Sequence, residues 1–241
     1  MNDKGIKMNS EQFFKELMDR GSLHNSYKYY SKEEYVSQII QDGILYLSDG
    51  DSWNDKADSD RFSSDHRFAK SFSFLKKENV SMWMLYANQC KGCMIDFTNK
   101  QIKEIIEFNR GKRTDVYKLE NGQFTFISSA TIADIFLIDI GYESSKKEDY
   151  VNLYRSDSYY KVTGLDENRP FYIKDYAWKN ESECRLAVET KERFNEKGLF
   201  IKLIIPNNVK NKLANRIIAG PSNKNSPYHN SKLHDKVSWK V

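Results

Sequence analysis

The sequence lacks the segments that identify membrane and secreted proteins. In its 241 residues no apolar run approaches the length of a membrane-spanning helix. The N-terminal segment MNDKGIKMNSEQFF has no hydrophobic signal-peptide core. Three cysteines cannot form a closed set of disulfides. These absences predict a cytoplasmic protein in a reducing compartment, with no membrane partner.

The motifs of common nucleotide-dependent enzymes are also missing. The chain contains no phosphate-binding P-loop, no dinucleotide-binding G-x-G-x-x-G, no nucleophile elbow and no kinase signature. With four prolines and 11 glycines, it has no Pro/Gly-rich linker or internal repeat. A common ATP-dependent or hydride-transferring enzyme is therefore not supported.

What the chain does contain is an aromatic composition of mixed charge. Aromatic residues make up 14% of the chain, mostly Tyr (15) and Phe (14), and hydrophobic residues reach 39%, which is sufficient for a core. The 38 basic and 34 acidic side chains leave a formal net charge of +4. This small excess permits an anionic partner without requiring one.

Hydrophobic periodicity predicts one α+β domain over residues 1–241. Its ends are predicted to be an N-terminal helix at about residues 9–19 and a polar, weakly ordered tail at about residues 222–241. Between them, residues 49–64 are predicted to form a polar loop and residues 146–160 a helix. Strands are predicted at residues 26–30, 44–48, 72–74, 115–118, 124–128, 136–142, 183–188, 199–205 and 216–219.

The segment from Ser71 to Phe97 combines hydroxyl and aromatic side chains. Serines alternate with phenylalanines at its start, so one strand face would carry hydroxyls and the other would carry rings. A compact helix with Trp83 and Tyr86 follows. Core packing explains much of this pattern, but the polar atoms of Ser73 and Tyr86 must find partners, which favours a pocket wall.

Two glutamates and an arginine follow closely after Trp178. In a strand, Glu181, Glu183 and Arg185 would point to the same face. One carboxylate could then stabilise a cationic transition state while the other positions a nucleophile, and the arginine would keep its neighbour ionised. The alternative is a solvated strand face whose charges neutralise each other.

A lysine between tyrosines, Tyr27-Lys28-Tyr29, stands on the first predicted strand. The lysine points away from the two rings, so it could hold a phosphate while a ring stacks on a base or nicotinamide. An edge strand protected by its lysine is the alternative.

One cysteine pair has the spacing of a metal-binding motif. Cys90 and Cys93 form a C-x-x-C pair, but a zinc site needs four ligands, no second pair follows, and the four histidines are scattered. No metal site is predicted, and Cys93 is expected to pack into the sheet.

The ordered set of motifs resembles a bacterial family known as domain of unknown function 2971. The family tends to have proline after Asn-Asp, where this chain has Lys56. The motifs that carry the resemblance are Tyr27-Lys28-Tyr29, Leu45–Asp55, Phe72-Ser73, Met82-Trp83, Tyr86-Ala87, Lys91-Gly92, Trp178, Glu181-Ser182-Glu183, Arg185 and Gly220-Pro221.

A further resemblance is to ADP-ribosyltransferases. It lies in the order of a basic or aromatic first strand, a serine-bearing second strand and a later Glu-x-Glu. Those enzymes bind NAD between two small sheets and break the nicotinamide–ribose bond through an oxocarbenium-like state. The resemblance implies a split, mostly antiparallel sheet with a central cleft, and NAD as a substrate.

Carried onto this chain, the resemblance implies Glu183 as the catalytic carboxylate, Glu181 as its partner toward the acceptor and Ser73 as a supporting residue. Lys28 stands where those enzymes have Arg or His, and Ser71-Phe72-Ser73 replaces their Ser-Thr-Ser. The residues implied in binding NAD are Lys28, Tyr27, Tyr29, Tyr86, Trp83 and Arg185.

The functional expectation is an NAD-consuming ADP-ribosyltransferase or NAD glycohydrolase, acting in bacterial defence or as a toxin on a protein or nucleic-acid acceptor. Two alternatives stay open. The positive charge and the aromatic residues permit a nucleic-acid-acting effector without NAD chemistry. The same cleft permits a sensing module that binds a ligand without turning it over.

Overall fold

The structure is a computed structural model that describes residues 5–51, 53, 55–76, 78–166 and 170–228. These residues adopt a mixed α+β fold with mostly antiparallel sheets, which confirms the predicted class. No helix within these ranges is long and apolar enough to cross a bilayer. Most of the predicted tail lies outside the described residues.

The secondary structure consists of fourteen strands, six α-helices and two 3₁₀ helices in the described ranges. The strands are β1 (Ile6–Asn9), β2 (Ser26–Ser31), β3 (Ile44–Ser48), β4 (Arg67–Ser73), β5 (Cys93–Thr98), β6 (Arg113–Glu120), β7 (Gln123–Asp139), β8 (Gly141–Lys146), β9 (Val151–Arg155), β10 (Ser158–Thr163), β11 (Ile173–Asp175), β12 (Glu183–Thr190), β13 (Leu199–Ile204) and β14 (Ile217–Ala219). The α-helices are α1 (Ser10–Gly21), α2 (Glu33–Asp42), α3 (Lys56–Phe62), α4 (Val80–Tyr86), α5 (Asn99–Asn109) and α6 (Asn207–Leu213), and the 3₁₀ helices span Tyr176–Glu181 and Ala214–Arg216.

The described chain forms two compact units, each assembled from three separate segments. Within the described ranges, the first unit contains residues 5–24, 46–71 and 109–203. The second unit contains the described residues of 25–45, 72–108 and 204–228.

A six-stranded barrel is the main feature of the first unit. Its strand order is β12-β7-β6-β13-β3-β4, and a further pairing of β4 with β12 closes it. Strands β7 and β12 pair in antiparallel fashion from the Asp139–Cys184 pair onward. The ring of paired strands gives β12 a neighbour at both edges, and all of its side chains except Glu189 are buried.

A five-stranded sheet, in the order β1-β10-β9-β8-β11, also belongs to the first unit. Helix α1 packs on this sheet and on β7 through Phe13 and Leu17. The predicted N-terminal helix is confirmed. Its cap is Asn9, which forms a capping box with Gln12.

The second unit is built around β2, β5 and β14. Strand β2 lies between β5 and the end of β4, with Lys28 opposite both Asp96 and Ser73. The alternative of a protected edge strand is therefore wrong. Helix α4 covers this sheet, where the ring of Trp83 packs edge-on against Tyr30 with centroids 5.0 Å apart.

Two secondary-structure predictions are wrong. The predicted helix at residues 146–160 is the end of β8, the strand β9 and the start of β10, because Val151, Leu153 and Tyr160 bury their side chains in sheet packing. The predicted loop at residues 49–64 contains α3, which begins after Asp55, whose side chain accepts hydrogen bonds from two amides of the first turn.

Two glycines of the family motifs pack backbone against backbone in the second unit. A Cβ at Gly92 would lie 2.1 Å from the carbonyl oxygen of Ser31, and one at Gly220 would lie 2.2 Å from that of Cys90. The amide of Gly220 also donates to the carbonyl of Gly92 at 2.8 Å. Motifs far apart in sequence meet here because neither position carries a side chain.

Gly92→Ala and Gly220→Ala are each expected to destabilise the protein by about 1–3 kcal/mol, since the backbone must move to admit a methyl group. Urea unfolding followed by circular dichroism measures this loss. Gly111→Asn is the control: it has a positive φ of 70° and nothing within 4 Å of an added Cβ. Because asparagine tolerates that conformation, its stability should stay near wild type, and an equal loss in all three variants would contradict the packing argument.

Candidate active site

Five charged side chains meet in the first unit, and we call them the charge cluster. They are contributed by α3, by β11, by the 3₁₀ helix that precedes β12 and by β12 itself. Each is less than a tenth exposed, so the alternative of a solvated strand face is wrong. The members are Asp58, Lys174, Glu181, Glu183 and Arg185.

Arg185 holds two of the carboxylates. Its Nε donates to Glu183 Oε1 at 2.6 Å, and its Nη2 donates to Asp58 Oδ2 at 2.5 Å. Its Nη1 donates to the carbonyl of Phe171 at 2.8 Å. A guanidinium without exposed surface is thus matched by charged and neutral acceptors on three sides.

Lys174 joins the two glutamates. Its Nζ lies 2.7 Å from Glu181 Oε2 and 3.1 Å from Glu183 Oε2. Glu181 is the last residue of the 3₁₀ helix. The prediction that it shares a strand with Glu183 is wrong, because β12 begins at Glu183. The left-handed φ of 44° at Ser182 turns the chain between them, and both carboxylates bind the same ammonium group.

Aromatic rings form the walls of the cluster. The guanidinium carbon of Arg185 lies 4.6 Å from the centre of the Trp53 ring, which stacks on Phe62. The ammonium of Lys174 lies 5.0 Å from the centre of the Trp178 ring. These rings exclude water from the cations and add cation–π attraction.

Ser71 is the residue that connects Glu183 to the surface. Its hydroxyl donates to Glu183 Oε1 at 2.6 Å, although Ser71 itself is exposed. The resemblance to ADP-ribosyltransferases implied this role for Ser73. The alternation of serine and phenylalanine was the available signal, and it did not distinguish between the two serines.

The surroundings shift the pKa values of Glu183 and Asp58 in opposite directions. Burial alone would raise the pKa of Glu183, but Arg185 and Lys174 outweigh it and hold that pKa well below its usual range. Burial raises the pKa of Asp58, against the opposing effect of Arg185. Oδ1 of Asp58 is buried and has no hydrogen-bond partner within the described part of the chain. With all five groups ionised, three carboxylates face two cations and the cluster has a charge of −1.

The residues predicted to bind NAD, other than Arg185, lie in the second unit. Lys28 is buried and donates to the carbonyl of Leu75, and burial lowers its pKa, with Asp96 acting in the opposite direction. Its cross-strand partner Ser73 is also buried.

Of the four aromatic side chains predicted to bind NAD, two are fully buried and two are partly exposed. Tyr27 is fully buried and its hydroxyl accepts a hydrogen bond from Asn99 at 3.1 Å. Trp83 is fully buried and its indole donates to Glu78 at 3.0 Å. Tyr29 and Tyr86 are partly exposed. Binding of NAD by these residues stays a prediction.

The comparisons with known proteins support the family. Residues 82–186 match the model of a family described as "Protein of unknown function (DUF2971)", which contains the motifs from Met82-Trp83 to Arg185. The earlier motifs and Gly220-Pro221 lie outside the matched region. No curated protein and no solved structure matches the chain.

Arg185→Met is expected to lower the free energy of unfolding by about 3–5 kcal/mol, because it leaves Glu183 and Asp58 buried with one cation. Arg193→Met is the matched control, since Arg193 also pairs with an aspartate, Asp65, but on the surface. Chemical denaturation should show little change for the control. A similar loss of unfolding free energy in both variants would show that burial in the charge cluster does not make the Arg185 ion pairs more stabilising than a surface pair.

The low pKa of Glu183 also predicts a pH dependence. A carboxyl whose pKa is lower in the folded state stabilises the fold above its unfolded value of about 4.3, and this stabilisation is lost as the pH falls. Wild-type stability should therefore fall more steeply below about pH 5 than that of Glu183→Gln. Urea midpoints measured across this range test the slope, and Glu189→Gln, on the same strand, should keep the wild-type slope.

Proposed function

We propose, from the charge cluster, that the protein carries out an NAD-consuming reaction of the ADP-ribosyltransferase type. The family whose model matches residues 82–186 has a description that names no activity. The observation that carries the proposal is the hydrogen bond from exposed Ser71 to buried Glu183. It links a carboxylate held ionised to a hydroxyl that a substrate can reach. The split, mostly antiparallel sheet with a central cleft, which the resemblance to ADP-ribosyltransferases implies, is part of this proposal.

Glu183 has the properties that the reaction requires. Cleavage of the nicotinamide–ribose bond passes through a cationic ribose, which a fixed carboxylate stabilises only if it is ionised. Arg185 and Lys174 keep the pKa of Glu183 low, against the effect of burial. The excess negative charge of the cluster adds to the attraction of a cation.

The proposed reaction has two steps. The bond between ribose C1′ and the nicotinamide nitrogen breaks, and its electron pair leaves with the nicotinamide, which becomes neutral. The cationic ribose is then captured by a lone pair of water or of a protein or nucleic-acid acceptor. In this scheme Glu183 stabilises the cation, and Glu181 orients the acceptor, whose proton passes to solvent.

The substrate site includes residues carried over from the resemblance. We assign the NAD phosphates to Lys28 and the flanking aromatic contacts to Tyr29 and Tyr86, the two partly exposed rings of the set, whereas Tyr27 and Trp83 are fully buried. Ser71 replaces Ser73 as the serine that supports the carboxylate. An effector in bacterial defence or toxicity is the biological role that this chemistry favours.

NAD turnover by the full chain tests the proposal. Nicotinamide release is followed by chromatography, and ADP-ribose adducts on proteins and nucleic acids of a bacterial lysate are identified by mass spectrometry. Glu183→Gln should reduce turnover at least about 100-fold, as expected for loss of a group that stabilises charge in the transition state. Ser71→Ala, a surface change, should cost about 10-fold or more, the equivalent of one hydrogen bond to a charged group. Glu181→Gln should reduce transfer to acceptors more than hydrolysis.

Glu189→Gln is the control, because Glu189 lies on β12 but pairs with Arg67 outside the cluster. It should retain wild-type turnover. The absence of both nicotinamide release and adducts in the wild type would overturn the enzyme proposal, as would equal losses in Glu183→Gln and Glu189→Gln.

A ligand-sensing module without turnover is the second candidate. The observation in its favour is that both oxygens of Glu183 already bind cations, Oε1 to Arg185 and Oε2 to Lys174. Such a carboxylate has less capacity to stabilise a further positive charge. NAD that raises the melting temperature without being consumed would favour this candidate.

A further inference from the structure

A group of three side chains with possible metal-ligand atoms lies on the face of β12 opposite the charge cluster. Cys184 alternates with Glu183 and Arg185 along the strand, so it points away from the charge cluster. Its cross-strand partner on β7 is Asp139. His24, which follows α1, completes the group, and its Nε2 lies 2.6 Å from Asp139 Oδ1. The nitrogen, oxygen and sulfur atoms all lie within 4.8 Å of one another.

The close approach of α1 to β7 brings His24 to the two strand residues. A Cβ at Gly21 would lie 3.0 Å from backbone atoms of Ile138, the residue before Asp139. The thiol of Cys184 lies 3.8 Å from the carbonyl oxygen of Gly21. The turn after α1 then places the imidazole over the strand pair. Cys184 and Asp139 have no exposed surface, whereas the His24 side chain is 13% exposed and marks the open side.

The distances suit a small transition-metal ion. A point centred among three atoms that lie within 4.8 Å of one another is at most about 2.8 Å from each. Movements of under about 1 Å therefore bring all three to the bond lengths of zinc, about 2.0–2.3 Å. Side-chain rotation of His24 on its open side supplies movement of this size.

The types of ligand select the metal. A thiolate, an imidazole and a carboxylate together favour zinc, whereas calcium and magnesium take six or more oxygen ligands. Three protein ligands leave a fourth, exchangeable position. Asp139 is also oriented from outside, because Arg155 Nε donates to its other oxygen at 2.5 Å. This leaves Oδ1 for the metal, an arrangement typical of supported zinc ligands.

We propose that His24, Asp139 and Cys184 form a zinc site whose fourth position is taken by water or by a ligand from the open side. On binding, the thiol of Cys184 gives its proton to solvent. His24 gives up the Nε2 proton that it shares with Asp139 and keeps or gains one at Nδ1, so that Nε2 binds the metal; no redox partner is needed. The zinc proposal does not rest on the NAD chemistry, although the site lies one residue from Glu183 along β12.

Cobalt(II) provides the sharpest test, because its spectrum reports both geometry and a sulfur ligand. The full chain, stripped of metal with a chelator under reducing conditions, is titrated with Co²⁺. One equivalent should produce the visible bands of four-coordinate cobalt and a thiolate charge-transfer band, and Zn²⁺ should abolish both. Zinc affinity is measured in parallel by competition with a chromophoric indicator.

Matched variants assign the ligands. Cys184→Ser should lose the charge-transfer band, whereas Cys93→Ser, also a buried free cysteine, should keep it. His24→Ala, at the partly exposed position, should weaken zinc binding about tenfold or more, and Arg155→Gln should weaken it about 10–100-fold. The tail histidines are controlled by the double variant His229→Ala, His234→Ala, which should behave as wild type.

Three results would overturn the proposal: no stoichiometric cobalt spectrum in the wild type, the same spectrum in Cys184→Ser, or unchanged zinc affinity in His24→Ala. Circular dichroism of each variant identifies one that does not fold. If Cys184→Ser is unfolded, the His24→Ala affinity and the wild-type charge-transfer band still decide the outcome.

Discussion

The burial of the Arg185 guanidinium is the constraint on which the first unit depends. A cation with no exposed surface is tolerated only when its lost hydration is replaced by acceptors at good geometry. Glu183 comes from the same strand, Asp58 from α3, and a backbone carbonyl from the segment before β11. Three separate parts of the chain must therefore be in place together, and Lys174 balances the carboxylates that this arrangement gathers.

Strand β12 carries two different groups of side chains on its two faces. Alternate side chains point to opposite faces, so Glu183 and Arg185 join the charge cluster while Cys184 joins His24 and Asp139. Pairing of β12 with β7 on one side and β4 on the other holds the strand in register. A metal at Cys184 would fix the backbone that carries Glu183, which links the two proposed sites through one rigid element.

Sequence reasoning succeeded where the local pattern was strong. Helix α1 and the strand at residues 44–48 were located within a few residues, because their apolar spacing or caps decide their structure. It failed at residues 146–160, where tyrosine and valine suited either a helix or a strand and sheet pairing made the choice. It also missed α3, because a polar segment with several aspartates is typical of a loop, and with that helix it missed Asp58.

The sequence by itself indicated the similarity to the DUF2971 family, the mixed fold class and the close spacing of Glu181, Glu183 and Arg185. Only the tertiary structure decided that these charges are buried, that Ser71 rather than Ser73 binds Glu183, and that His24, Asp139 and Cys184 meet. The physical reason is distance along the chain. Ser71 and Glu183 are 112 residues apart and Arg185 and Asp58 are 127 apart, and a local pattern carries no information about such partners. The pKa of a carboxyl group depends on which of those partners arrive, and that is decided by the fold.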